Sequence, residues 1–389
     1  MRSSAKLTLF FFAATATVLG CALSFGPGDY TGAGSDASDN DAVPAPPPDG
    51  GSDTTAPDGD PSDAPTRRLL VLAGEKDGPD TPTNDVWVAP IEANGDVGQF
   101  EYIQPGLFRG TLVTANVAGG RLFVASRANG RSVEHVAVDA GLLVPPWHGQ
   151  TVAAPELPGY GQIFSGSSLL ALGGAGDVPD DTGATVFVRD DAIRISAFDG
   201  GAFGALTPST SKLPVPLRDM TTVAYKDFVY VIGGDGAAAD QKSKVYVGRT
   251  DPQAGVGAFT ETSRVINPQN NQPHTPSSPI VCAGEGRLFM AGGMTGSSAT
   301  DIVLAATIDE GDGTIGPWKA VTKLPGPLRG AGCAIWNGHL HVLGGIGATS
   351  RSDRIVRAPI AQDGTLGEWE LSSGEKLPAP RSSVIAIPF

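Results

Sequence analysis

Six short apolar blocks recur along this chain at nearly even intervals, and that recurrence constrains the fold more than any other feature. LVLAGE begins at residue 70, LFVASR at 122, LLALGG at 169, VYVIGG at 229, LFMAGG at 288 and LHVLGG at 340, with intervals of 47 to 60 residues. Each block is too short and too rich in β-branched residues for a buried helix, so each reads as a buried strand. Four end in a glycine doublet, Gly173-Gly174, Gly233-Gly234, Gly292-Gly293 and Gly344-Gly345, where a chain without Cβ atoms can turn sharply. The first two blocks carry Ala73-Gly74-Glu75 and Ala125-Ser126-Arg127 in the same place. With 53 Gly and 32 Pro, the composition also favours many turns and short strands over helices.

One recurring block could be ordinary strand composition, but two further landmarks keep register with it. The first is a glycine-rich turn followed by an aromatic: Phe100, Trp147, Phe203, Phe259, Trp318 and Trp369 each follow their block by 25 to 34 residues. Its clearest copies, DGTIGPW from Asp312 and DGTLGEW from Asp363, hold the Asp-Gly pair of a tight hairpin and an aromatic able to pack between neighbouring sheets. The second is a Pro/Arg turn ahead of the block, QPGLFR ending at Arg109, LPVPLR at Arg218, LPGPLR at Arg329 and LPAPR at Arg381. ELPGYG from Glu156 lacks the arginine, and Pro268 to Pro279 is a longer insertion containing His274.

Read in order, these landmarks describe a four-stranded unit that resembles the kelch repeat over residues 67 to 389. The resemblance implies an all-β, six-bladed kelch-like β-propeller. The C-terminal SSVIAIPF is a first strand with no block after it, while the block at Leu70 has no first strand before it. Pairing residues 382 to 388 with 69 to 74 closes blade one from both ends of the chain and removes two open sheet edges.

The first 66 residues read differently. Arg2 and Lys6 precede an apolar run from Leu7 to Leu19, shorter than the roughly 20 residues that span a bilayer, so residues 1–20 are expected to be a secretory signal. Val18-Leu19-Gly20-Cys21 resembles the bacterial lipobox, which implies lipidation at Cys21, an anchor in the membrane through lipid alone, and, with Ala22 following, an outer-membrane address in the cell envelope. Residues 21–66 are expected to be a disordered tether: Pro46-Pro47-Pro48 stiffens it, and nine Asp repel one another. Those aspartates account for much of the net charge of −14, leaving a propeller with 25 basic and 32 acidic residues. No basic stripe is available for nucleic acid.

The sequence holds no GxSxG, HExxH or Walker loop and only five His, and neither a cofactor nor a metal is expected. His339 and His341 occupy repeat slots taken elsewhere by Arg and by Phe or Tyr. Cys282 and Cys333 occupy one strand position of successive blades and are expected to be buried small residues, since neighbouring blades diverge. The Pro/Arg turn is the candidate site. The kelch resemblance places the strand after it innermost, so Arg109, Arg218, Arg329 and Arg381 would ring one mouth of the central channel. There they either attract a carboxylate, an acidic sugar or an acidic peptide, or pair with neighbouring acids and brace the blades. The expected function is recognition of a protein, peptide or glycan by a monomeric surface protein. Catalysis on an acidic sugar, as in the six-bladed sialate mutarotases, and an envelope scaffold are the alternatives.

Overall fold

Strand patterning and turn chemistry produce six antiparallel sheets arranged as the blades of a propeller in a computed structural model, which describes residues 67–76, 83–103, 113–126, 132–139, 141–153, 157–179, 184–251 and 255–389. The signal at 1–20, the tether at 21–66 with Cys21, and Arg109 lie outside the described residues. Among those described there is one short 3-10 turn, Ala239–Ser243, and no α-helix.

Each apolar block forms the second strand of its blade, and the segment before it forms the first. In blade four, Thr221–Tyr225 and Phe228–Ile232 are buried at every position, because both faces of the sheet are covered by neighbouring blades. Such strands read as continuous apolar runs rather than alternations. Third strands such as Val303–Thr307 and Ile355–Pro359 follow, and the outermost strands are short and exposed, as in Glu101–Tyr102, Lys319–Ala320 and Glu370–Leu371. Strands of two residues give other chains little to pair with, and the outer strand of blade two, Leu142–Thr151, is the longest exception.

The first strands, Val113–Ala118, Gly161–Ser165, Thr221–Tyr225, Ile280–Gly284 and Gly332–Trp336, lie side by side around the axis. Ile385–Pro388 fills the remaining place, beside both Gly332–Trp336 and Val113–Ala118. It pairs antiparallel with Arg68–Leu72, Leu72 opposite Ile385 and Leu69 opposite Pro388, and Arg68 and Phe389 exchange both backbone hydrogen bonds at 2.9 Å. The two ends of the chain therefore complete blade one as expected.

The aspartyl-glycine turns explain the second landmark. Asp312 and Asp363 each accept the backbone N–H two residues on, at 2.8 and 3.0 Å, and Gly313 and Gly364 adopt φ of +78° and +85°. Each turn then packs onto the preceding blade: a Cβ on Gly313 would meet the Phe228 ring, and one on Gly364 would meet Arg287. The aromatic that follows lies under the third strand, so that a Cβ on Gly248 would come within 2.5 Å of the Phe259 ring.

Cys282 and Cys333 form a disulfide, with Cα atoms 6.0 Å apart, which corrects the expectation of two separate buried residues. Divergence of the blades holds for their outer strands. These cysteines sit on the first strands of blades five and six, where the sheets converge on the axis and come within bridging distance.

Candidate functional site

The extra chain of blade three and the insertion ahead of blade five fall on one face. Connections between third and fourth strands, which hold the aspartyl-glycine turns, lie on the other side. Those between second and third strands, and those leading from one blade to the next, meet on the first. There the glycine doublets and the Pro/Arg turns, separated in sequence, form one repeated clasp. The second glycine of a doublet donates its N–H to the turn that leads into the following blade: Gly174 to Leu217, Gly293 to Leu328 and Gly345 to Arg381, each at 2.8 Å. The next turn residue forms a two-way backbone bridge with the residue after its own blade's doublet: Arg218 with Asp235, Ser277 with Met294, Arg329 with Ile346 and Ser382 with Glu75. One residue later the chain is left-handed, at Asp219, Ser278, Gly330 and Ser383, three positions of which hold a residue other than glycine. The clasp leaves no room for a side chain at the first glycine: a Cβ there would lie 2.4 Å from Leu217 O in blade three, 2.2 Å from Leu328 O in blade five and 2.5 Å from Arg381 O in blade six. Ala73-Gly74 adopts the same backbone with φ of 62° and 103°, so blade one keeps the turn despite lacking the doublet. Blade two does not: Ser126 remains within its strand.

This geometry separates three arginines that look equivalent in sequence. Arg218 is partly exposed and its Nε donates to Asp235 Oδ2 at 3.1 Å, with Asp219 3.6 Å away. Arg189 reaches the same carboxylate oxygen at 3.3 Å. Burial alone would raise the pKa of Asp235, but the hydrogen bonds from Arg218 and Arg189 outweigh it and hold the carboxyl below its ordinary value. Arg329 occupies the same clasp position and is half-buried, but Ile346 stands where Asp235 stands in blade four. Among the described residues its guanidinium has no carboxylate partner. Arg381 sits one position earlier in the clasp, equivalent to Leu217 and Leu328, and its side chain is 0 % exposed. It lies 3.6 Å from Asp85, donates weakly to Ala379 O at 3.3 Å and cannot meet a ligand at the channel mouth, contrary to expectation. Burial pushes its pKa down, and Asp85 opposes that shift.

Sequence reasoning missed several neighbours of these arginines. The second and third strands of blade three, Ser168–Pro179 and Thr185–Ser196, run on past the glycine doublet as a two-stranded ribbon that projects from the clasp face. Val186, Phe187 and Val188 on it are exposed, and Phe187 carries the guanidiniums of Arg189 and Arg218 at 5.0 and 5.4 Å from its ring centre. Asp235 could have been found by reading the residue after each doublet against the turn that clasps it. On the opposite side of the mouth, Arg351 bridges Glu75 at 2.7 Å and Ser382 at 3.1 Å, bracing blade six against blade one.

His341 is buried and stacked on Trp336, ring centres 3.3 Å apart, and burial holds its pKa well below the ordinary value. His339 Nδ1 lies 2.7 Å from Asn337 O. Among the described residues no three His, Cys, Asp or Glu side chains gather as metal ligands would.

The fold and the clasped mouth define a six-bladed β-propeller. No family model matches the chain, and no curated protein matches it. Among solved structures it is similar to the one described as "Structure of YjhT", with a TM-score of 0.51 and 14 % identity, over 71 % of this chain and 87 % of that one. At that identity the likeness shows the fold alone.

Proposed function

We propose that this protein is a lipid-anchored recognition propeller of the kelch kind, which uses its clasp face to bind an acidic group on a protein, peptide or glycan. The observation that carries this reading is Arg329: a guanidinium at the mouth, in the position where Arg218 is neutralised by Asp235, with an isoleucine in place of the acid. A guanidinium offers five N–H donors in a fixed fork suited to a carboxylate. The exposed ribbon at Phe187 adds an apolar and aromatic surface beside it. A disulfide between blades supports folding outside the cytoplasm, in keeping with the signal, Cys21 and tether read from the sequence.

Array binding of the full chain to acidic glycans and acidic peptides tests the reading, with Arg329→Ala and Arg218→Ala as variants. Loss of at least ten-fold in Arg329→Ala, with a smaller loss in Arg218→Ala, is the expected outcome. Equal binding by wild type and Arg329→Ala would remove the mouth from the account. Turnover of an acidic sugar by the same preparation would favour the enzymatic alternative.

A further inference from the structure

On the side of the ring opposite the clasp, blades two and three meet around a pair of histidines that the mouth does not use. His135, on the third strand of blade two, Ser132–Asp139, is 5 % exposed, and its Nε2 lies 3.0 Å from Gly201 O on a hairpin of blade three. That hairpin, Phe198–Asp199 with Ala202–Phe203, is fixed in turn by Gln150, whose side-chain amide exchanges two hydrogen bonds with the backbone of Phe203 at 2.6 and 2.7 Å. A carbonyl only accepts, so Nε2 of His135 carries the proton and Nδ1 is left as an acceptor. Arg121 Nη1 donates to it at 3.2 Å. The exposed His148 stacks on the same imidazole, ring centres 5.0 Å apart.

Arg121 is thereby oriented without being neutralised. Its Nη1 is tied to His135, and its guanidinium carbon sits 5.6 Å from the centre of the Phe198 ring. Nε and Nη2 have no partner among the described residues and neither is enclosed, so both open to solvent. Arg287, at the same position in blade five, shows the alternative: its Nη1 and Nη2 donate to the carbonyls of Glu285 and Gln362, and its Nε is enclosed. Arg121 forms no ion pair among the described residues, and neither does the exposed Asp199 on the neighbouring hairpin. The field at His135 agrees. Burial lowers its pKa, the hydrogen bond with Gly201 opposes that, and Arg121 and His148 lower it further, with no carboxylate acting the other way.

A guanidinium held at one corner with its Nε–Nη2 edge free presents two parallel N–H donors, which suit two oxygens carried on one atom. We propose that Arg121, held by His135 and flanked by His148, forms an oxyanion site at the seam of blades two and three, for a carboxylate or a phosphate. His135 is a positioning residue there, since a proton on its Nδ1 would set N–H against N–H and turn the guanidinium away. The site is separate from Arg329 on the clasp face, and neither requires the other.

Titration of the full chain with sodium acetate and with sodium phosphate near neutral pH, against sodium chloride at matched ionic strength, separates the two sources. The readout is the ring ¹⁵N resonances of His135 and His148, two of only five histidines, assigned with His135→Asn and His148→Gln variants. A saturable shift with at least one oxyanion and none with chloride is expected, and the tighter oxyanion identifies the source. Arg121→Met should bind at least ten-fold more weakly. Arg121→Lys, which keeps a charge and a donor for His135 but not the paired edge, should also bind more weakly while holding the fold. With His148 as reporter, His135→Leu should lose most of the affinity, and His135→Asn, whose amide oxygen takes the place of Nδ1, should recover part of it. Arg287→Met and Arg329→Ala should bind as wild type. No saturable shift with either oxyanion, an equal shift with chloride, wild-type affinity in Arg121→Met or His135→Leu, or an equal loss in Arg287→Met would overturn the proposal. Loss of array binding in Arg329→Ala, with the oxyanion shift retained, would support two independent sites.

Discussion

At the entrance to blade six the chain reads Leu324-Pro325-Gly326-Pro327-Leu328-Arg329, and at the entrance to blade one Leu377-Pro378-Ala379-Pro380-Arg381, one residue shorter. Both segments deliver a carbonyl to a glycine doublet, but Leu328 delivers it in one and Arg381 in the other. The missing residue moves the arginine one step along the clasp and turns its side chain from the mouth into the interior. The two junctions are also held differently. Blades five and six are joined by Cys282–Cys333, whereas blades six and one are joined by Arg351 with Glu75, Arg357 with Asp96 and the Trp336 indole N–H donating to Gly95 O.

That contrast can be tested in descending order of effect. Replacing both cysteines with alanine removes the constraint on a segment of 51 residues, for which chain entropy gives about 4 kcal/mol of lost stability, readable as a fall in the urea midpoint. Gly344→Ala and Gly292→Ala each force a Cβ against a clasp carbonyl with φ in the left-handed region, and a loss of about 3 kcal/mol is expected for each. Gly326→Ala, where a Cβ meets nothing within 4 Å, should leave the midpoint unchanged or slightly raised. Arg381→Met should cost about 2 kcal/mol, below the usual figure for a broken buried pair because Asp85 keeps its contact with Lys76. Arg329→Met should shift stability by less than about 0.5 kcal/mol. Matching losses for the two arginine variants would erase the distinction between them.

Most of the ring was legible in the sequence because its determinants are local. A doublet marks a left-handed turn wherever it occurs, an Asp-Gly pair marks a hairpin, and an unmatched strand at each end implies a shared blade. The arginine positions were harder to read because their meaning depends on spacing to the following strand. Arg218 and Arg329 precede theirs by three residues and Arg381 by four, and that one-residue difference decides which way the side chain faces. The disulfide was misjudged by applying outer-strand geometry to inner strands. The blade-three ribbon was hidden because Gly173-Gly174 reads as a strand end, whereas here the chain bends and the pairing resumes at Gly174 with Asp190. His274 lay in an insertion whose length was evident, but no repeat position marks it as buried.

The seam of blade one also sets a direction for the whole molecule. Ile385–Pro388 starts near Ser382 on the clasp face and runs to Phe389, which meets Arg68 at the other end of the ring. At about 3.3 Å per residue, the seven steps from Ser382 to Phe389 put roughly 20 Å between those levels. Arg67 therefore enters the ring from below, on the side of the aspartyl-glycine turns. Arg329 and the Phe187 ribbon, on the clasp face, lie at the opposite end of the ring from Arg67.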